Sequence, residues 1–537
     1  MAGELLASEE GVVQTAGPDV GSHVSGARLV RNSAINGIAI TGGMVVTILL
    51  TPYMLDRLGS VSFGIWALAI TLTATAGYLS LTDLGLQQAS VRFMADARRG
   101  RDPAQLTGIF STTVAIFLVV SVVVAGLMVA LAPAIASIFS VQGAVRHAAI
   151  VTFAIVGAQI VFDLPGLAYR AVLESAQRYG AIRVIELVRA ILFAGLVVGV
   201  LSIGRGVVAI ASCSAASAAA ALSAYVVVVR TSEAAARLRP SSIQRHVLRE
   251  LLGFSRSLFL LRILSVSYRQ MDKLIVGAIL SVSAVATYEV ANRVQAAMFL
   301  LLGIGGSALL PAATLSRVDK PRMRDLFLRA TSYSVALFLP VSIAVLVYAR
   351  LVVVGWVGAQ QAGATGAVRL FALWVALGTF DAAGTTMLVA VGRLRPVVAL
   401  SVVWVASNLV LSLILVHVWG ITGVVAATVI TYAPLLVAYT TLCLDEFRIS
   451  LGDWARRVLI PNLPGPAVQV VLSLATLHEV ERLPPLAGAA LGGGIGTAVS
   501  LGLFFFIGLR RPERRYVREV LTRASGRPPT EVVSSRR

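Results

Sequence analysis

Fourteen stretches of about twenty mostly apolar residues, separated by short polar loops, constrain this chain more than anything else in it. They cover residues 33–53, 61–82, 106–131, 148–170, 183–203, 207–229, 257–280, 284–311, 327–348, 367–391, 396–416, 421–443, 458–476 and 486–509. A helix needs about 20 residues to cross roughly 30 Å of hydrocarbon. A chain in lipid must also satisfy its own backbone groups, which helices do. The 537 residues are 57% hydrophobic and only 13% charged, with a mean hydropathy of +0.85. A soluble domain carries about twice that charged share. An ordinary soluble enzyme, a disordered protein and a disulfide scaffold are therefore excluded. The two cysteines, Cys213 and Cys443, fall inside apolar runs and imply neither a disulfide nor a metal framework. The reading is an all-α polytopic membrane protein with fourteen transmembrane helices.

Topology follows from the cations. The net charge of +19 could suggest nucleic acid, but the basic residues sit in short loops between apolar runs, so no nucleic-acid partner is expected. With the N-terminus placed in the cytoplasm, the inside loops hold Arg92, Arg98, Arg99 and Arg101, then Arg170, Arg178 and Arg183. A central group, Arg230, Arg237, Arg239, Arg245, Arg249 and Arg256, follows, and the later inside loops continue the pattern. Outside loops hold only scattered arginines such as Arg57, Arg146 and Arg205. A wrong number of crossings would scramble this alternation, so both termini are predicted to be cytoplasmic. Residues 1–30 are expected to be a disordered cytoplasmic tail rather than a signal peptide, since no basic stretch precedes an apolar core. The tail 510–537 is basic and expected to lie on anionic lipids.

One segment recurs. Leu58-Gly59-Ser60-Val61-Ser62-Phe63-Gly64-Ile65-Trp66-Ala67-Leu68-Ala69 aligns with Leu280-Ser281-Val282-Ser283-Ala284-Val285-Ala286-Thr287-Tyr288-Glu289-Val290-Ala291. The two copies start six apolar runs apart, an even number, so they cross the membrane in the same direction. That predicts a parallel pseudo-twofold repeat. The organisation expected is an N-lobe at 31–230, a basic cytoplasmic hinge linker at 231–256, a C-lobe at 257–445, and two extra helices at 446–509.

Charges within spans are costly, so those present mark candidate sites. Run 7 carries Arg262, Arg269, Asp272 and Lys273. At 100° per residue the three cations fall within about 20° of one line along the helix. Facing lipid, they would cost on the order of 7–10 kcal/mol together. They must face protein or a watery cavity, and Asp272 can neutralise one of them. The stripe reads either as an anion-binding wall for phosphate or as an ion-pair network between lobes. Glu289 and Arg293 are spaced i,i+4, as a self-satisfied helical pair would be. In and just after run 4, Gln159, Asp163, Arg170 and Glu174 are polar; Asp163, Arg170 and Glu174 step i, i+7, i+11 as a second polar stripe, with Asp163 deepest and Arg170 and Glu174 toward the cytoplasmic interface. Asp83 closes run 2 before Gly85 as a cap or a gate. Asp381, in the middle of run 10 with no cation nearby in sequence, reads either as a proton-coupling carboxylate or as the partner of a group on another helix. The glycine runs Gly303–Gly306 and Gly492–Gly494 lie within apolar helices and read as close helix packing. No phosphate-binding glycine loop and no metal-ligand spacing occurs in the sequence, so no catalytic residue, metal or cofactor is expected.

Four stretches carry a family resemblance. They are Arg31-Asn32; Leu58-Gly59 with Phe63-Gly64-Ile65-Trp66; Asp83-Leu84-Gly85-Leu86 with Arg92-Phe93; and Gln270-Met271-Asp272-Lys273-Leu274-Ile275-Val276-Gly277 with Tyr288 and Arg293, ending in Leu310-Pro311. In these the chain resembles the Wzx-type polysaccharide and lipid-linked oligosaccharide flippases of the multidrug/oligosaccharidyl-lipid/polysaccharide exporter superfamily. The resemblance implies alternating access by two rocking lobes in a bacterial cytoplasmic membrane. It implies a polyprenyl-diphosphate-linked saccharide as substrate and glycan-assembly proteins as candidate partners. Arg262, Arg269, Asp272, Lys273, Arg293 and Arg31 become the expected substrate-binding set, with Asp83, Asp163, Glu289 and Asp381 in gating or coupling. Many such proteins have twelve helices; the extra pair resembles that of lipid-precursor flippases, where it contacts lipid. The alternatives are an ion-coupled exporter of the same superfamily and a membrane glycan polymerase or ligase.

Overall fold

The computed structural model describes residues 26–75, 77–233, 236–306, 309, 313, 319–509 and 513–515. Most of the two expected tails and the Leu310-Pro311 motif end lie outside the described residues. The first helix, α1 (Gly26–Ile70), begins inside the segment expected to be a tail. After it come α2 (Leu86–Arg99), α3 (Pro103–Ile138), α4 (Val145–Ala158), α5 (Ile160–Ser175), α6 (Tyr179–Ser202) and α7 (Val207–Ser232). The second part holds α8 (Arg245–Ile275), α9 (Val282–Gly306), α10 (Lys320–Val357), α11 (Thr365–Gly378), α12 (Gly384–Ala390) and α13 (Leu394–Glu446). Three short helical pieces spanning 451–462 lead into α14 (Pro464–Glu481) and α15 (Pro485–Ile507). Among the described residues there is no strand, and nine helical segments are long and apolar enough to cross a membrane.

Two of these helices are hairpins. As one straight rod, the 53 residues of α13 would extend about 80 Å. The backbone breaks at Gly420, where φ is 57° and ψ −132°. A Cβ on Gly423 would come within 2.1 Å of the Leu415 carbonyl oxygen. In an unbroken helix those residues would stand about 12 Å apart. Asn408 Nδ2 also donates to Thr428 Oγ1 at 3.1 Å, and the Ser401 and Tyr439 hydroxyls meet at 2.9 Å. The two halves, 394–419 and 421–446, therefore run antiparallel and hold runs 11 and 12. In α1 the break is Gly59, with φ 71° and ψ 167°. Arg293 touches both Thr51 before it and Phe63 after it, so the chain folds back there. Both glycines adopt a backbone that side-chain-bearing residues avoid.

The repeated segment is visible in the backbone. Ser281, which aligns with Gly59, is the break between runs 7 and 8, with φ −172° and ψ 163°. Gly64, just past the first turn, lies so close to the start of α9 that a Cβ there would overlap the Val282 carbonyl oxygen at 1.9 Å.

Apolar packing divides the molecule unevenly. One buried cluster lies wholly within residues 74–247 and holds Phe110, Phe117, Leu164 and Ile182. The larger one runs from α1 through α4, α6 and α7 into α8, α9, α10, α11 and α13, so α1 packs into both halves. Facing outward, α3 exposes Val119, Val122, Val123 and Leu127, and α13 exposes Val403, Val410 and Ile414. These are lipid-facing rows at helical spacing. The last two helices are seated on α10. Tyr348 Oη donates to the Ser473 carbonyl at 3.3 Å, Gln469 Nε2 to the Pro340 carbonyl at 2.8 Å, and Asn462 Nδ2 to Ser332 Oγ at 3.0 Å. Gly492 meets the Tyr348 ring, where a Cβ would come within 2.6 Å of it. Small residues and interhelical hydrogen bonds are how helices associate in lipid. This is the close packing expected of that glycine run; the side chains facing Gly303–Gly306 lie outside the described residues.

Three expectations change. Run 2 was expected to be helical to residue 82, but the helix ends at Ile70 because the Thr71 and Thr73 hydroxyls turn back onto the Leu68 and Ile70 carbonyls. Run 10 is interrupted between α11 and α12, at residues 379–383. The linker is not a free hinge either. Glu233 pairs with Arg98 at 2.8 Å and Arg178 at 2.9 Å. Ser111 Oγ accepts from Arg239 N at 2.9 Å, and Thr112 Oγ1 accepts from Gln244 N at 3.1 Å. The described residues between 233 and 244 are thus bonded to the N-lobe, and any hinge starts at α8.

Candidate functional site

The site is built on α8 and α9, with α9 packed on α1 and α8 packed on α2, α3 and the turn 78–83. Arg262, Arg269 and Lys273 share one face of α8, as the spacing predicts, but they have different surroundings. Lys273 Nζ lies 2.7 Å from Glu289 Oε2, and Arg293 Nε lies 3.1 Å from Glu289 Oε1. These three side chains are 5%, 7% and 8% exposed for Lys273, Glu289 and Arg293. One carboxylate is shared by two cations, which is how a buried charge group avoids the full cost of leaving water. Arg293 also leaves its own lobe. Its Nη1 donates to Thr51 Oγ1 and, at 3.4 Å, to the Thr47 carbonyl, and its guanidinium carbon stands 5.3 Å from the Phe63 ring centre.

Asp272 corrects an expectation. It takes no cation. Its Oδ2 accepts from Tyr288 Oη at 3.2 Å, and its buried Oδ1 has no hydrogen-bond partner among the described residues. Adjacent residues on a helix point about 100° apart, so Asp272 cannot reach the face that holds Lys273. The acid that neutralises Lys273 is Glu289, on the next helix. The three-cation stripe is accordingly not one-signed as a whole, because Lys273 belongs to the ion-paired group.

Arg262 and Arg269 remain. Neither is in an ion pair among the described residues. Arg262 is partly buried, and its Nε lacks a hydrogen-bond partner. Helix α8 packs against the N-lobe at α2, at α3 and at the turn 78–83 that carries Asp83. Arg269 is exposed. The two are separated along the helix by about 10.5 Å. Arg31 lies on α1, and its side chain is outside the described residues.

The other candidates are dispersed. Asp83 accepts from Gln87 N at 2.8 Å, as a cap on α2 would. Asp163 is buried in the N-lobe. Gln159 Nε2 donates to its Oδ2 at 2.8 Å, and Ser214 donates to Gln159 Oε1 at 2.7 Å. Arg189 Nη1 stands 3.0 Å from Asp163 Oδ1, a charge contact without hydrogen-bond alignment. Arg170, expected on the same stripe, belongs to a separate group with Glu174 and Glu186, at 2.7 and 2.6 Å. Asp381 sits in the interruption between α11 and α12, where Tyr432 Oη donates to it at 3.4 Å. Tyr432 belongs to an aromatic group with Tyr268, Trp374 and Trp404, whose ring centres lie 4.7 to 6.3 Å apart.

Sequence reasoning passed over Thr51 and Trp356. Trp356 Nε1 donates to the Ile48 carbonyl at 3.0 Å. The signal for both was Pro52, which follows Thr51 and cannot supply the N–H that Ile48 would otherwise receive. Cys213 and Cys443 are free and buried. Among the described residues no cluster of His, Cys, Asp and Glu could hold a metal ion.

A family model described as polysaccharide biosynthesis protein matches residues 55–366. Among solved structures, the chain is similar to the lipid II flippase MurJ in an inward closed conformation. The TM-score is 0.67 and the identity 10%, over 90% of this chain and 99% of that one. It is also similar to an inward-facing multidrug resistance MATE family transporter of the MOP superfamily, with TM-score 0.59 and 15% identity over 78% of this chain and 94% of the other. A third is a MOP superfamily transporter from Pyrococcus furiosus, with TM-score 0.52 and 15% identity over 78% and 95%. At these identities the likeness is one of fold. No curated protein matches the chain.

Proposed function

Because the chain belongs to the polysaccharide biosynthesis protein family, we propose that it is a flippase for a polyprenyl-diphosphate-linked saccharide, working by alternating access in a bacterial cytoplasmic membrane. The observation that carries this reading is the Arg262–Arg269 face of α8. Two guanidiniums without ion-pair partners among the described residues stand on a helix that packs against the opposite lobe. Guanidinium presents a planar fork that suits phosphate. In a water-poor cleft such a contact is stronger than in bulk solvent. In this reading Arg262 and Arg269 hold the diphosphate, the saccharide occupies the space between the lobes, and the lipid tail stays in the bilayer. Lys273 and Arg293 act mainly through Glu289. Asp381, which accepts from Tyr432 Oη, serves as the coupling carboxylate. No bond is made or broken, so no catalytic group is needed. Both termini are cytoplasmic, and the basic tail rests on anionic lipid. Depletion tests the reading: a lipid-linked saccharide should accumulate on the inner leaflet. Normal outer-leaflet delivery in the depleted cell would overturn it.

A further inference from the structure

Helix α1 offers an unusual surface to the opposite lobe. Pro52 has no N–H, so the Ile48 carbonyl one turn earlier loses its intrahelical partner. In lipid such a group must find another donor. It finds Trp356 of α10, 308 residues away in sequence. The neighbouring Thr47 carbonyl already accepts the Thr51 hydroxyl at 2.6 Å, which leaves the Thr51 oxygen turned outward as an acceptor. Arg293 of α9 takes both. Nearer the turn, Gln361 Nε2 donates to Ser60 Oγ at 2.9 Å, while its Oε1 accepts from Thr287 at 3.1 Å. Three side chains of the second lobe thus reach across to one stretch of α1. They do so along the half of α1 that leads to the Gly59 turn, from Thr47 to Ser60.

We propose that Arg293 and Trp356 form an inter-lobe latch that closes on the acceptor face of α1 at Thr47, Ile48 and Thr51, where Pro52 frees the Ile48 carbonyl, with Glu289 as the positioning residue for Arg293. Glu289 holds the guanidinium by its Nε edge and leaves Nη1 free to cross the boundary. Opening the lobes along this stretch requires both donors to leave α1. The latch rests on the bonds across the boundary and does not depend on which substrate is carried.

The test uses the full-length protein in lipid nanodiscs, with Cys213 and Cys443 replaced by Ser. Spin labels are placed at Arg57→Cys and Gln360→Cys, both exposed positions near this stretch. Pulsed electron-electron double resonance reads the distance between them. The background should give one short-distance population. Thr51→Val with Trp356→Phe should raise the ratio of long to short populations at least tenfold. Pro52→Ala removes no group of the second lobe but restores an N–H to Ile48, and should move the ratio the same way by less. Should the double variant fold poorly, Pro52→Ala alone decides. Arg269→Ala, which belongs to the substrate reading, should leave the distances unchanged. Unchanged distances in both latch variants, or an equal shift from Arg269→Ala, would overturn the latch.

Discussion

The two copies of the repeated helix–turn–helix unit share a backbone plan and differ in charge. Continued at the same offset, the alignment of Leu58 with Leu280 places Thr47 opposite Arg269, Thr51 opposite Lys273, Ala67 opposite Glu289 and Thr71 opposite Arg293. Every ionisable member of the central group is in the second copy. The first copy carries small neutral residues at the same places, and two of them, Thr47 and Thr51, receive Arg293. The scaffold is duplicated and the charged site is not. A single set of charges set against a neutral mate can bind across the boundary without like-charge repulsion, which two identical sets would create.

The largest expected effect breaks the second copy alone. Glu289→Ala leaves Lys273 and Arg293 buried and unpaired, and should destabilise the protein by about 3–5 kcal/mol. Thermal unfolding in detergent or nanodiscs measures it. Giving the second copy the residues of the first, as Lys273→Thr, Glu289→Ala and Arg293→Thr together, removes the charges as a set. It should be less destabilising than Glu289→Ala alone. A triple variant less stable than the single one would show that the group is more than a compensated charge cluster.

A smaller effect separates the two turns. Gly59→Ala forces a side chain into φ 71°, ψ 167°, at a cost of about 1–3 kcal/mol. Ser281 is extended, and its hydroxyl accepts from Ala284 N at 3.1 Å. Ser281→Gly should cost only a few tenths of a kcal/mol, since glycine substitutes well at a helix N-cap. Equal losses of stability would mean that the two turns are held by their surroundings rather than by their own backbones.

A third comparison sets the buried acid of the N-lobe beside that of the second copy. Asp163 faces Arg189, whose side chain is 24% exposed and can turn to water when the acid is removed. Asp163→Asn keeps the bond from Gln159 and should cost less than Glu289→Gln, which strands two buried cations. The reverse order of melting temperatures would show that the N-lobe acid carries more of the fold than its surroundings suggest.

Much of this was legible in the sequence because it depends on local spacing. Run lengths gave the helices, 100° per residue put Arg262, Arg269 and Lys273 on one face, and i,i+4 joined Glu289 to Arg293. What could not be read depends on how the chain folds back. Lys273 meets Glu289 only because the chain reverses at Ser281, and Asp272 meets Tyr288 for the same reason. Thr51 and Arg293 are separated by 242 residues. Nor does hydropathy register helix breaks made by threonine hydroxyls, as at Thr71, or a basic loop strapped down by one buried acid, as at Glu233. Cations in a loop look alike whether they face solvent or Glu233.

The central claim is a division of labour on one face of α8: Arg269 serves the ligand and Lys273 serves the fold. Arg269→Ala and Lys273→Ala should be compared in one strain for membrane abundance and for outer-leaflet delivery of the saccharide that accumulates on depletion. The account predicts that Arg269→Ala keeps wild-type abundance and loses delivery, while Lys273→Ala loses abundance first. An Arg269→Ala protein that delivers normally, or a Lys273→Ala protein that is abundant but inactive, would contradict it.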